Sequence, residues 1–137
     1  MSKHEFEIGY ESGDPEFPRF CMPVAWEEPN MINPKEKVVD ENEITIVFEY
    51  PLSKKAEFTY KSKNGFTRKK VWQCIHKGYK KIYKEEDQDA GETDLIPGMY
   101  NRQSSSGRWG IWGHVIEDLV VEGVYKKGKK YYLNIGS

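Results

Sequence analysis

His114 and Asp118 stand four residues apart. Within a single helical turn, side chains at that spacing share a face, and a carboxylate there can fix the imidazole tautomer and raise its basicity. Such a pair suits general acid–base work. Directly upstream run Arg108-Trp109-Gly110-Ile111-Trp112-Gly113, and a little earlier Tyr100-Asn101-Arg102. Trp109 and Trp112 offer large contact surfaces with one N–H donor each, suited to stacking a base, a sugar or a peptide proline. Arg102 adds a residue type that, with tryptophan and tyrosine, dominates binding hot spots. In an enzymatic reading His114 is the acid or base, Asp118 orients it, and Tyr100 and Arg102 hold a small ligand. An architectural reading competes with both: the tryptophans plug one end of the fold, His114 bonds a backbone carbonyl, and Asp118 caps the next element.

Other chemistries lack their residues. Gly107, Gly110 and Gly113 recur every third position, yet no Lys-Ser/Thr follows them at the spacing of a phosphate-cradling loop. His4, His76 and His114 are scattered, and Cys21 and Cys74 form no CxxC pair, so neither a metal nor a cofactor is expected. No nucleophile elbow or cofactor fingerprint accompanies His114, which tilts the reading away from an enzyme. Two distant cysteines suggest free thiols in a reducing compartment. The acidic first residues lack the apolar stretch of a signal peptide, and no apolar run approaches the roughly 20 residues of a membrane span. A cytoplasmic protein without membrane contact is expected.

Net charge is −1, but the charges fall in blocks. Residues 1–43 carry four Lys/Arg against eleven Asp/Glu, whereas residues 44–84 carry eleven against two. Residues 85–118 turn acidic again and 119–137 basic. Blocks of opposite sign can neutralise one another when the chain folds back, or leave a basic face for a polyanion.

The elements that must position these residues follow from periodicity. Residues 1–43 hold five of the seven prolines, which excludes a long helix or central strand and predicts an irregular arm wrapping the body. Ile44, Ile46, Phe48 and Tyr50 alternate with more polar neighbours, as do Ala56, Phe58 and Tyr60, giving an antiparallel hairpin across Pro51-Leu52-Ser53-Lys54. After Asn64-Gly65, Thr67 is a natural N-cap and Phe66 with Val71 a hydrophobic staple. A helix over 67–84 then places Val71, Trp72, Cys74, Ile75, Gly78, Tyr79, Ile82 and Tyr83 on one side. Lys69, Lys70, Lys77, Lys80, Lys81 and Lys84 lie on the other. Residues 85–106 read as a long polar loop, of the kind that is functional or disordered. Leu119 to Tyr125 and Lys130 to Ile135 flank Lys126-Lys127-Gly128-Lys129 as a second hairpin.

Tyr50-Pro51-Leu52-Ser53, Asn64-Gly65-Phe66-Thr67, the helix end through Tyr83-Lys84-Glu85-Glu86, Tyr100-Asn101-Arg102 and Gly110-Ile111-Trp112-Gly113-His114 with Asp118-Leu119 together resemble the pattern of one small uncharacterised family of plants, fungi, protists and large DNA viruses. The resemblance spans roughly residues 44–137 and implies a shared fold, with no established activity attached to it. In that pattern an aspartate often follows the histidine; here the position is Val115.

The order β-β-α-loop-β-β predicts one α+β domain at 44–137: an antiparallel sheet of two hairpins, at least four strands, with one amphipathic helix on a face. The leading functional expectation is a protein-interaction or self-association module that uses the 85–114 surface, with Tyr100, Arg102, Trp109 and Trp112 as contacts. The alternatives are nucleic-acid or other polyanion binding through Lys77, Lys80 and Lys81, and a small enzyme built on His114 and Asp118.

Overall fold

The computed structural model describes residues 6–9, 21–26, 30–90, 94–96, 99–104, 107–111 and 115–136. In chain order these form β1 (Phe6–Glu7), β2 (Met22–Pro23), β3 (Lys37–Val39), β4 (Glu43–Phe48), β5 (Ala56–Lys61) and β6 (Phe66–Thr67). Helix α1 (Arg68–Ala90), β7 (Asp94–Ile96), β8 (Met99–Ser104), a 3-10 turn (Ile116–Asp118), β9 (Val120–Lys127) and β10 (Lys130–Gly136) follow.

Alternating apolar positions make both expected hairpins. β4 pairs antiparallel with β5, Ile46 opposite Phe58, and β9 pairs antiparallel with β10, Leu133 opposite Val124. The hairpins meet along a parallel seam between β10 and β4, Tyr131 beside Ile46. The main sheet therefore runs β1-β9-β10-β4-β5, with β2 also on β9. Short strands β1 and β2 line the outer edge of β9 antiparallel, and Pro23 sits where a missing donor matters least. Ile8, Met22 and Val24, all from residues 1–43, are fully buried.

Helix α1 lies on one sheet face because its apolar stripe of Val71, Trp72, Ile75, Tyr79 and Ile82 is buried. At Gly78 it packs so tightly on the sheet that a Cβ would fall on the Phe48 ring. The N-terminus is capped three ways. Thr67 Oγ1 accepts from Lys70 N at 3.2 Å, Glu36 O from Arg68 N at 2.8 Å, and Pro34 O from Lys69 N at 3.0 Å. Arg68 fastens the same segment through bonds of 2.8 Å to the carbonyls of Glu7 and Asn33.

Two expectations are corrected. The helix runs from Arg68 to Ala90, not 67–84, because Glu86 continues the buried stripe one turn beyond Ile82. Residues 85–106 are not one loop: after the helix, β7 and β8 form a separate antiparallel pair.

Candidate functional site

Three acids of the added turn of α1, Glu85, Glu86 and Asp89, grip the start of the tryptophan–glycine cluster. Glu86 is 1% exposed. Its Oε2 accepts from Gly107 N at 2.8 Å and its Oε1 from Trp109 N at 2.9 Å. Between those two amides, Arg108 N donates to Asp89 Oδ2 at 3.1 Å. The Arg108 side chain then straddles the helix. Nε reaches Asp89 Oδ2 at 2.6 Å, Nη2 reaches Oδ1 at 3.1 Å, and Nη1 reaches Glu85 Oε2 at 3.0 Å. Three consecutive backbone donors thus meet carboxylate oxygens, among the stronger hydrogen bonds available to a backbone amide. Hydrogen bonding from Arg108 holds the Asp89 carboxyl below its ordinary value, and the same contact raises the guanidinium. Glycine is required at 107, where a Cβ would lie 2.6 Å from Glu86 Oε1.

On its far side the cluster is tied to the turn between β4 and β5. Ser53 N donates to the carbonyls of Trp109 and Gly110 at 3.0 and 2.9 Å, Ser53 Oγ to Gly110 O at 2.8 Å, and Ile111 bridges to Leu52. Gly110 takes φ +60°, a conformation that favours glycine. The half-buried Trp109 ring meets Phe58 edge-on at 6.3 Å, and Phe58 leads through Phe48 to Tyr79 in the core. Trp109 Nε1 is buried without an acceptor among the described residues.

The remaining sequence candidates scatter. Trp112 and His114 lie outside the described residues. Tyr100 and Arg102 belong to β8, and their side chains lie outside as well. Asp118 ends the 3-10 turn and accepts from Val115 N at 3.2 Å, a local cap. His76 is buried and bonds Val24 O through Nδ1 at 2.7 Å. Lys77, Lys80 and Lys81 are exposed on α1.

Beside Asp118 the structure opens a cleft of about 580 Å³ between α1 and the 3-10 turn. Lys80, Tyr83, Lys84, Asp87 and Gln88 form the helix wall, and Ala25, Ile116 and Glu117 the opposite one. Burial pushes the Tyr83 hydroxyl well above its ordinary value, and Asp118 and Glu117 push it further, so it stays a protonated donor. The exposed large hydrophobics among the described residues are Trp26, Tyr50 and Val115. Trp26 and Val115 adjoin cleft residues Ala25 and Ile116 in the chain, and Tyr50 lies within electrostatic reach of Tyr83. Compared with known proteins, the chain matches no family model, no curated protein and no solved structure. Its chemistry therefore rests on this geometry.

Sequence reading missed Glu86, Asp89 and the cleft. Glu86 extends the spacing of Tyr79 and Ile82 by one helical step, a signal hidden by its charge. The cleft joins residues from three distant segments, and no local pattern announces that. Among the described residues no cluster of His, Cys, Asp or Glu is arranged to hold a metal. No helix of the described residues is long and apolar enough to cross a membrane.

Proposed function

We propose that this domain is a non-enzymatic protein-interaction module of a reducing, cytoplasmic compartment, and that it docks its partner in the cleft between α1 and the 3-10 turn. The observation that carries this reading is the mixed-polarity cleft itself, with the exposed Trp26 and Val115 next in the chain to its lining residues Ala25 and Ile116. Aromatic anchors beside a concavity, ringed by polar groups, are the usual composition of a binding hot spot. The 85–114 region enters this surface through Asp87 and Gln88, while its described glycine-rich stretch is engaged with the helix and the β4–β5 turn. Cys21 and Cys74, both outside any disulfide, suit a reducing compartment.

A photoreactive side chain at Gln88 tests the reading in extract from the native cell, with the same group at Glu122 on β9 as control. The expected result is one discrete adduct from Gln88, with a partner protein or a second copy, weakened when Val115 becomes Asp. A chain that runs as a strict monomer, with equal labelling from both positions, would contradict it.

A further inference from the structure

Strand β5 ends the main sheet: β4 pairs one edge, and no described strand pairs the other. In antiparallel pairing, alternate residues turn their N–H and C=O to opposite neighbours, so half of the β5 backbone groups face outward. Lysines outnumber acids around this edge. Lys54 and Lys55 lead into the strand, and Lys61 and Lys63 lead out. From α1, Lys81 Nζ stands 4.8 Å over the Phe58 ring and Lys70 Nζ bonds Ser62 Oγ at 2.6 Å, which sets the helix row Lys70, Lys77, Lys81 alongside β5. The acids nearby are engaged: Glu57 with Lys130 from the neighbouring hairpin, and Glu43 with Lys61 at 3.9 Å. Among the described residues, no carboxylate forms an ion pair with Lys77 or Lys81.

Lysines along a sheet edge discourage pairing between like copies, and the same lysines favour a strand of opposite sign. We propose that the outer edge of β5 is a docking site for an extended acidic peptide of a partner protein, which adds as a strand. Its backbone takes the outward β5 groups and its carboxylates face the lysine rows. Tyr60, half-buried on β5, offers a shallow apolar seat for a partner side chain. A single-stranded nucleic acid fits less well. Lys81 covers the Phe58 ring, which already packs on Phe48 and Trp109, leaving no stacking platform there. This surface is separate from the cleft and does not depend on it.

The test is amide hydrogen exchange on the full chain with a peptide of about eight residues alternating Glu and Val, long enough to span the strand. A Lys–Val peptide and an oligothymidylate serve as comparisons. The expected result is slowed exchange at every second amide of residues 56–61 with the Glu–Val peptide alone. Affinity should fall about tenfold when Lys77 and Lys81 both become Glu, the scale expected from reversing complementary charges, and hold when both become Arg. Slowing confined to α1, no slowing in β5, or stronger protection by the oligothymidylate would overturn the proposal. The Arg variant keeps the test valid if the Glu variant fails to fold.

Discussion

At the scale of single residues, Glu86 and Arg108 decide what the tryptophan–glycine cluster is. Sequence alone leaves Trp109 open as a stacking platform, because residue type does not say which neighbour takes its ring. In the structure Phe58 takes it, and the adjacent backbone donors are taken by Glu86 and Asp89 in the last turns of the helix. Asp89 gives this a pH signature. Its folded carboxyl titrates below its ordinary value because Arg108 hydrogen-bonds it. The stabilisation is therefore fully present above the unfolded value of about 3.9 and is lost as pH falls through the lower folded value. Replacing Arg108 by Gln should lower the urea midpoint at neutral pH and flatten the acid limb below about pH 4. Glu41, held down by Lys126, and Glu57, held down by Lys130, keep some slope in both proteins. Parallel acid limbs with and without Arg108 would show that the contact does not form in solution.

At the scale of elements, helix α1 was legible at its start and illegible at its end. Thr67 caps it and Phe66 and Val71 are buried, as capping chemistry predicts. The far end was hidden because Glu85-Glu86-Asp87 reads as solvent-loving, and only tertiary partners 21 and 23 residues on explain a buried glutamate. The β4–β5 and β9–β10 hairpins were visible as alternation. Their parallel seam was not, since strand order across separate hairpins leaves no local mark. At Gly78 the helix leaves no room for a side chain against the sheet. Gly78→Ala should gain helix propensity yet lose stability by about 2 kcal/mol, because the methyl overpacks Phe48. Thermal unfolding checks the sign; a rise in Tm would mean that the Phe48 ring moves aside at little cost.

At the scale of the whole molecule, the alternating charge blocks meet one another among the described residues. Acids of the first 43 residues do meet basic groups of the body, Glu36 with Arg68 and Glu41 with Lys126. Acids of the helix end hold Arg108. Among the described residues, Lys77 and Lys81 beside β5 form no ion pair with a carboxylate, and the cleft between α1 and the 3-10 turn stands open. Both assignments depend on the cluster being fastened into the fold by Glu86 and not free to receive a ligand. Amide hydrogen exchange of Gly107 and Trp109, followed in the native protein and in Glu86→Ala, measures that fastening directly. The native amides should exchange only through large-scale opening. In Glu86→Ala they should exchange quickly, with unfolding free energy lower by about 3 kcal/mol, the scale of orphaning buried donors to a charged acceptor. Fast exchange at both amides in the native protein, with Glu86→Ala as stable as the parent, would contradict it.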